Sequence, residues 1–243
     1  MHYPQDTQVM PALAAAHLLR ASNARLVTGR EVTAVPRGPG GAVRGVRTDR
    51  GDIHALAVVN AAGTWGGEIA VRAGVSLPVL PRRGFVLVTE PLPPRIRHKV
   101  YAADYVGDVA SDSAALQTSP VVEGTPAGPV LIGASRERVG FDRSLSLPAL
   151  RALAAGATDL FPFLAEVRAL RTYVGFRPYL PDHLPAIGPD PRAPGLLHAC
   201  GHEGAGIGLA TGTGRLIAQA LTGQVPDLDL GAFRPDRFTE EAE

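Results

Sequence analysis

The chain has 243 residues, 45% of them hydrophobic, with 24 Lys and Arg against 23 Asp and Glu for a formal charge of +1. That composition supports one or two packed domains and argues against disorder, and its balance of charge gives no global field for nucleic acid or an anionic membrane. The single cysteine, Cys200, excludes an internal disulfide and a cysteine-built zinc cage and fits a reducing cytoplasm, and no run approaches the ~20 apolar residues of a membrane span.

Leu13, Ala14, His17, Leu18 and Ala21 recur at helical spacing, which predicts a helix over Pro11–Arg25. Three β-rich runs follow, Leu26–Val35, Ala42–Thr48 and Ile53–Asn60, separated by Gly38-Pro39-Gly40-Gly41 and Asp49-Arg50-Gly51-Asp52. Both separators are turn signals, so the runs read as a β-meander whose last strand continues into Asn60–Trp65. Gly67–Ala73 reads as a short helix closed by Gly74. From about Pro78 the runs Phe85–Thr89, Val100–Tyr105, Leu116–Val122 and Val130–Ala134 suggest a largely antiparallel sheet, joined by an amphipathic helix over Leu147–Leu160. Leu196–Cys200 reads as a short buried strand, Leu209–Leu221 as a helix with Leu209, Leu216, Ile217, Ala220 and Leu221 on one face, and Pro226–Glu243 as a tail.

The segment Gly201-His202-Glu203-Gly204-Ala205-Gly206-Ile207-Gly208 is a glycine-crowded turn that runs into a helix. Small residues let a backbone approach a flat ligand, and the unpaired N–H groups of a helix's first turn favour negative charge. By spacing alone the same segment also reads as a tight strand-to-helix junction. Taken with Gly175-Phe176-Arg177-Pro178 and with Val58-Val59-Asn60-Ala61-Ala62-Gly63-Thr64-Trp65, it resembles the FAD-dependent D-amino-acid oxidase, glycine oxidase and sarcosine oxidase family over almost the whole chain.

The resemblance implies an α/β (α+β) architecture: a partial FAD-binding domain of the glutathione-reductase-like type and an antiparallel-sheet substrate domain. The corresponding division is a first FAD-domain segment over 1–77, the substrate domain over 78–175 and a returning segment over 176–243. It also implies that Arg177 holds a substrate carboxylate, through the planar fork that guanidinium offers. His202, Glu203, Gly204, Ala205, Gly206, Ile207 and Gly208 would adjoin the flavin ring, with Ala62, Gly63 and Trp65 beside the cofactor and the Val32 backbone at the adenine. Each position has a plainer reading: an ion pair for Arg177, a core side chain for Trp65, an ordinary strand for Val32. Arg82-Arg83-Gly84-Phe85 stands equally as a ring-side segment or a solvated basic turn. No second histidine stands at metal-ligand spacing from His202, so no metal is expected, and the absence of a cysteine in Val174-Gly175-Phe176 implies non-covalent FAD. Gly204 stands where glycine oxidases place a second arginine, which suggests a roomier or differently contacted pocket.

Family members open with a strand, a G-x-G-x-x-G turn and a helix that hold the FAD pyrophosphate. This sequence begins instead at Met1-His2-Tyr3-Pro4, which resembles an interior segment, so the expectation is the C-terminal, truncated part of a flavoenzyme with an incomplete cofactor site. The implied activity is hydride transfer from the Cα of an amino acid or N-alkyl amino acid to flavin. The alternative is a non-catalytic remnant, or a subunit that needs a second polypeptide carrying the dinucleotide-binding motif.

Overall fold

The structure is a computed structural model that describes residues 2–5, 7–103, 105, 107 and 111–238. Its larger sheet is built on strand β5 (Leu80–Pro91), flanked by β8 (Pro129–Arg136) and β9 (Ala169–Tyr179), with β7 (Gln117–Gly124) and β6 (Val100–Tyr101) beyond β8. The strand order is β6-β7-β8-β5-β9 and every pairing is antiparallel. Because side chains alternate across a strand, Phe85 and Leu87 point to one face of β5 and Arg82 and Gly84 to the other. The first face is covered by α3 (Leu147–Leu160), whose Ala149, Leu153 and Ala157 recur every fourth residue and pack with Phe85, Leu87, Val122, Val130 and Ile132. Ser146 caps this helix by accepting from the Ala149 N–H at 3.4 Å. Burying Leu153 completely contributes about 1.5–3 kcal/mol relative to leaving it in water. Capped and covered on one side, the sheet presents its other face, with the arginines, to the rest of the molecule.

A smaller sheet has the order β10-β11-β4, formed by β10 (Ala186–Pro189), β11 (Leu196–Cys200) and β4 (Val58–Asn60). β11 runs antiparallel to β10 and parallel to β4. Leu196 and Cys200 face one side, against Ala70 and Ala73 of the α2 region (α2, Gly66–Arg72) and Val35 and Val43 of the meander. Leu197 faces the other side, with Ile187, and packs on Ile217 of α4 (Gly206–Leu221). A strand covered on both faces is why Leu196–Cys200 reads as a continuous apolar run. The meander itself, β1 (Val32–Ala34), β2 (Gly45–Thr48) and β3 (Gly51–His54), forms a third sheet in sequential order.

Several expectations need correction. The first helix, α1 (Pro11–Ala21), stops short of Arg25: the Ser22 hydroxyl donates to Leu19 O and Asn23 adopts a left-handed φ of 55°. The run expected over Leu26–Val35 forms a strand only at Val32–Ala34. Ile53–Asn60 is not one strand: β3 closes the meander at His54, Leu56 is exposed, and β4 then joins β11 in a different sheet. Of Val100–Tyr105, Val100 and Tyr101 pair with β7, and position 104 lies outside the described residues. The last helix starts at Gly206; its Leu216, Ile217 and Ala220 pack inward, whereas Leu209 and Leu221 are exposed. The tail forms short 3-10 turns at Gly231–Phe233 and Pro235–Phe238, and residues 239–243 lie outside the described residues.

Candidate functional site

In the β5–β9 ladder Arg82 stands opposite Arg177, so both side chains rise on the face away from α3. Arg177 lies across the sheet and donates from Nη1 to the carbonyl of Ser135 on β8 at 2.8 Å. The position between them is Gly84, where a Cβ would sit 2.4 Å from Arg177 Nη1 and 2.5 Å from Ser135 O. Only a glycine lets the guanidinium take this path. Arg136 of β8 is paired with Gln117 of β7, and the Gln117 amide oxygen accepts from Arg82 Nη2 at 3.1 Å, which puts all four side chains on the same face. Arg136 is 3% exposed, and its guanidinium lies over the Tyr105 ring, 5.1 Å from the centroid. Desolvation lowers the pKa of Arg177, and the charge of Arg136 lowers it further.

The glycine-rich turn descends on this face. Gly201 has a φ of +88°, and a Cβ there would meet Leu180 Cδ1 at 2.2 Å, so the turn can leave β11 only through a glycine. Glu203 Oε2 accepts from Arg82 Nη1 at 3.0 Å, and its Oε1 lies 2.7 Å from His183 Nδ1. His183 Nε2 reaches Asp112 Oδ1 at 3.2 Å, and the Tyr179 hydroxyl donates to the same oxygen at 3.4 Å. Glu203 and His183 both occupy the left-handed region, with φ of 47° and 60°. These are sparsely populated conformations for residues with a Cβ, here held by the ion pair with the fully buried Arg82. Past Glu203 the turn opens: a Cβ on Gly204 would lie 3.9 Å from Arg177 Nε, and around Gly208 nothing lies within 4 Å among the described residues. Gly204, Ala205, Ile207 and Gly208 are exposed, and no side chain caps the N-terminus of α4. His202 points the other way, to Thr213 Oγ1 at 3.0 Å, and burial lowers its pKa.

The Asn60–Trp65 segment reaches the same region from β4. Asn60, fully enclosed, donates from Nδ2 to Gly66 O at 2.8 Å and lies 3.1 Å from His198 Nδ1. His198 Nε2 in turn lies 3.2 Å from Asp190 Oδ2, an arrangement satisfied by the tautomer with its proton on Nε2. Asp190 is bound bidentately by Arg192, at 2.9 and 2.7 Å. This buried relay fixes the end of β4, and Thr64 then ties it to β9 by donating to Phe176 O at 2.8 Å. Trp65, half exposed, stacks on Phe141 with centroids 5.6 Å apart, and Phe141 meets Phe176 edge-on at 5.4 Å.

Arg83 is buried, not solvated. It binds Glu137 at 2.9 Å and Asp142 at 2.6 Å, and so anchors the loop that carries Phe141. Cys200 packs against Gly66, 3.0 Å from where a Cβ there would stand, and burial pushes its thiol up to about 12. Arg177, Glu203 and Gly204 are thus brought together, with Gly63 and Trp65 adjoining through the Thr64–Phe176 tie and Ala62 leading into it. Val32 stands apart in the meander, its carbonyl accepting from Arg72 Nη1. Arg136, Gln117, Asp112 and the Glu203–His183 bridge escaped sequence reasoning. The expected strand stopped at Ala134, and strict alternation from Ile132 would have turned Arg136 towards α3; the extra residue that β8 carries between Ile132 and Glu137 puts it on the other face, and no local signal announces that. Among the described residues no group of three His, Cys, Asp or Glu side chains could hold a metal, and no helix is long and apolar enough to cross a membrane.

This arrangement defines a mixed helix-and-sheet protein in which an antiparallel sheet offers a guanidinium to the open side of a glycine-rich strand-to-helix turn. The family model described as FAD dependent oxidoreductase (DAO) matches residues 1–220, and the chain belongs to that family. It is 35% identical over 242 residues to hydrogen cyanide synthase subunit HcnC of Pseudomonas aeruginosa, covering 97% of this chain and 54% of the relative. It is 31% identical to glycine oxidase of Geobacillus kaustophilus, covering 96% of this chain and 58% of the relative. The crystal structure of glycine oxidase from Geobacillus kaustophilus superimposes with a TM-score of 0.79 at 27% identity, covering 94% of this chain and 58% of that one. That of L-proline dehydrogenase from P. horikoshii gives 0.79 at 24% identity, a likeness of fold, with coverage of 93% and 58%. The chain therefore spans about half the length of the curated relatives it matches.

Proposed function

We propose that this chain forms the substrate face and the ring-side half of the cofactor site of an FAD-dependent amino-acid oxidase or dehydrogenase. The observation that carries the reading is Arg177, laid flat across Gly84 and facing the open side of the turn at Gly204. Among the described residues its guanidinium donates one hydrogen bond, to Ser135 O, so the rest of its fork is available to a carboxylate.

The residues present fit a flavin ring. Glu203–Gly208 offers exposed small residues, with nothing among the described residues within 4 Å of where a Cβ on Gly208 would stand, and the uncapped first turn of α4 presents N–H groups and the positive end of its dipole. Gly63 and Trp65, with Ala62 before them, would border the cofactor, and the Val32 backbone would meet its adenine end. Bound there, FAD would supply the two-electron acceptor for a hydride leaving the substrate Cα. The chain's own share is positional: Arg177 fixes the carboxylate, the sheet face sets which side of the Cα is presented, and the Trp65–Phe141–Phe176 cluster keeps water from one flank. Cys200 is enclosed and its thiol stays protonated, which supports non-covalent attachment.

The substrate class in this reading is an amino acid or N-alkyl amino acid, in keeping with relatives named glycine oxidase and D-amino acid dehydrogenase. A second reading, in which the chain acts as a subunit, is favoured by β4. Among the described residues this strand pairs with β11 on one side only, and Val59 and Leu56 are exposed beside it. A nucleotide-binding segment, in the same or another polypeptide, would complete the sheet there. The test is flavin titration of the chain with and without such a segment, followed by carboxylate-ligand affinity for wild type and Arg177→Ala. Losing the charge-assisted contact removes about 1.5–3 kcal/mol, roughly ten- to over a hundredfold in affinity. Affinity for every carboxylate unchanged in Arg177→Ala would refute the anchor.

A further inference from the structure

We propose that the substrate held by Arg177 carries a large uncharged apolar side chain, which lies on a floor of glycine and valine beside Tyr173, so that the site selects amino acids such as phenylalanine and leucine over glycine. This rests on the reading of Arg177 as the carboxylate anchor and adds to it the residues that set specificity.

The floor follows from the ladder that places the anchor. Arg82, Gly84 and Val86 of β5 stand opposite Arg177, Gly175 and Tyr173 of β9, and as alternate residues of two strands all six face the same side of the sheet. Arg177 reaches over Gly84 to Ser135 O, which brings its guanidinium to the row of the Gly84–Gly175 pair. One row further along lie Val86 and Tyr173, about 7 Å away at the rise of an extended strand. The ring of a phenylalanine whose carboxylate is held at Arg177 spans that step.

Among the described residues no side chain covers this ground. Gly175 is exposed, and a Cβ there would meet no atom within 4 Å. A Cβ on Gly133 of β8 would meet only Val86 Cγ2, at 3.9 Å. Val86 is half-buried, and the Tyr173 ring beside it is 46% exposed.

The neighbouring rows decide the chemical class. Gly133 is paired on β7 with the buried Val121, so the row of the floor carries no charged side chain. Charges return one row on, where Arg171 stands opposite Val88, and Glu123, paired with Lys99 at 3.2 Å, stands opposite Leu131. A side chain that ends over Val86 stops short of them and takes apolar surface out of water on both partners, the change that favours a large aliphatic or aromatic group. Glycine would leave the floor wet.

The experiment is a titration of the 243-residue chain with glycine, alanine, leucine and phenylalanine, the last three as both enantiomers, followed by calorimetry and NMR. The expected result is an affinity at least about tenfold higher for phenylalanine or leucine than for glycine in one enantiomeric series, with nuclear Overhauser contacts from the ligand side chain to the Val86 methyl groups and the Tyr173 ring. Gly175→Val, which fills the floor from an exposed strand position, is expected to narrow the preference to within about twofold, with a thermal melt to check that it folds. Affinities within twofold across all the ligands, with binding still abolished by Arg177→Ala, would overturn the inference and leave the anchor intact. A preference without contacts to Val86 or Tyr173 would also overturn it, since the side chain would then lie elsewhere. No measurable binding of any ligand, or binding indifferent to Arg177→Ala, would overturn the anchor itself. The wild-type comparison needs no variant, so a poorly folding Gly175→Val does not decide the matter.

Discussion

Replacing Glu203 with alanine tests whether the glycine-rich turn is held over the sheet by charge. The Arg82 guanidinium is 1% exposed, and Glu203 is a carboxylate partner of it at 3.0 Å. Breaking a buried pair by removing one member costs about 3–5 kcal/mol, because the remaining charge stays in the interior. Ser111 O and Gln117 Oε1 still accept from Arg82 in the variant, which argues for the low end, about 3 kcal/mol. For a chain of this size each kcal/mol moves the melting temperature by roughly 2–4 °C, so the expected loss is about 6–12 °C.

Glycine at the same position separates the charge from the backbone. The φ of 47° at Glu203 costs a residue with a Cβ about 1 kcal/mol or more, and glycine releases that strain. Glu203→Gly is therefore expected to melt above Glu203→Ala by a few degrees, although both lack the ion pair. Thermal melts and urea titrations of the two variants and wild type are the assay. If both variants melted within 2 °C of wild type, the turn would be held by packing alone, and the Arg82–Glu203–His183 chain would have no structural role.

Gly84→Ala places a methyl group 2.4 Å from Arg177 Nη1, and is expected to cost about 1–3 kcal/mol and to displace the guanidinium, seen as joint loss of stability and carboxylate binding. Burial pushes the Asp190 carboxyl up, but hydrogen bonds from Arg192 and His198 outweigh it and hold the group well below the usual carboxylate range. Its stabilising contribution is therefore complete above about pH 4 and lost as pH falls through the depressed value, so Asp190→Asn should flatten the acid limb of the stability–pH curve. In hydrogen exchange, amides of β5, β8 and β11 are expected to be slow and those of α1, which has no buried residue, fast. Equal protection in α1 and β5 would show that α1 is covered in solution.

The parts of the fold that the sequence discloses are those in which one physical rule acts alone. Leu147–Leu160 is recovered to the residue because Ser146, Pro148 and the spacing of Ala149, Leu153 and Ala157 agree on a helix with one buried stripe. Leu196–Cys200 is recovered because a strand covered on both faces must be apolar throughout. Ile53–Asn60 misleads because two short strands of opposite allegiance abut with no glycine or proline between them, and the choice of partner sheet is a long-range matter. β9 is long but rich in polar and aromatic residues, since among the described residues it is the edge strand of its sheet and its inner face carries Arg177.

The site follows the same logic. Arg177 and the glycine turn stand out because their unusual backbone and rigidity are written locally, in a Pro after an Arg and in glycines at alternate positions. Arg136 does not stand out, because nothing in Ala134-Ser135-Arg136-Glu137 differs from the solvated end of a hairpin strand. Its placement comes from register: one bulge in β8 pairs Arg83 with Glu137 and turns Arg136 onto the face that holds Arg177, while Arg83 is turned away to Asp142. A shift of one residue in that ladder would exchange the two faces and bury Glu137 beside Arg177 instead. The chemistry of the site therefore depends on the register of β8 as much as on the identity of its residues, and a deletion within Pro129–Arg136 should abolish carboxylate binding even where every arginine is kept.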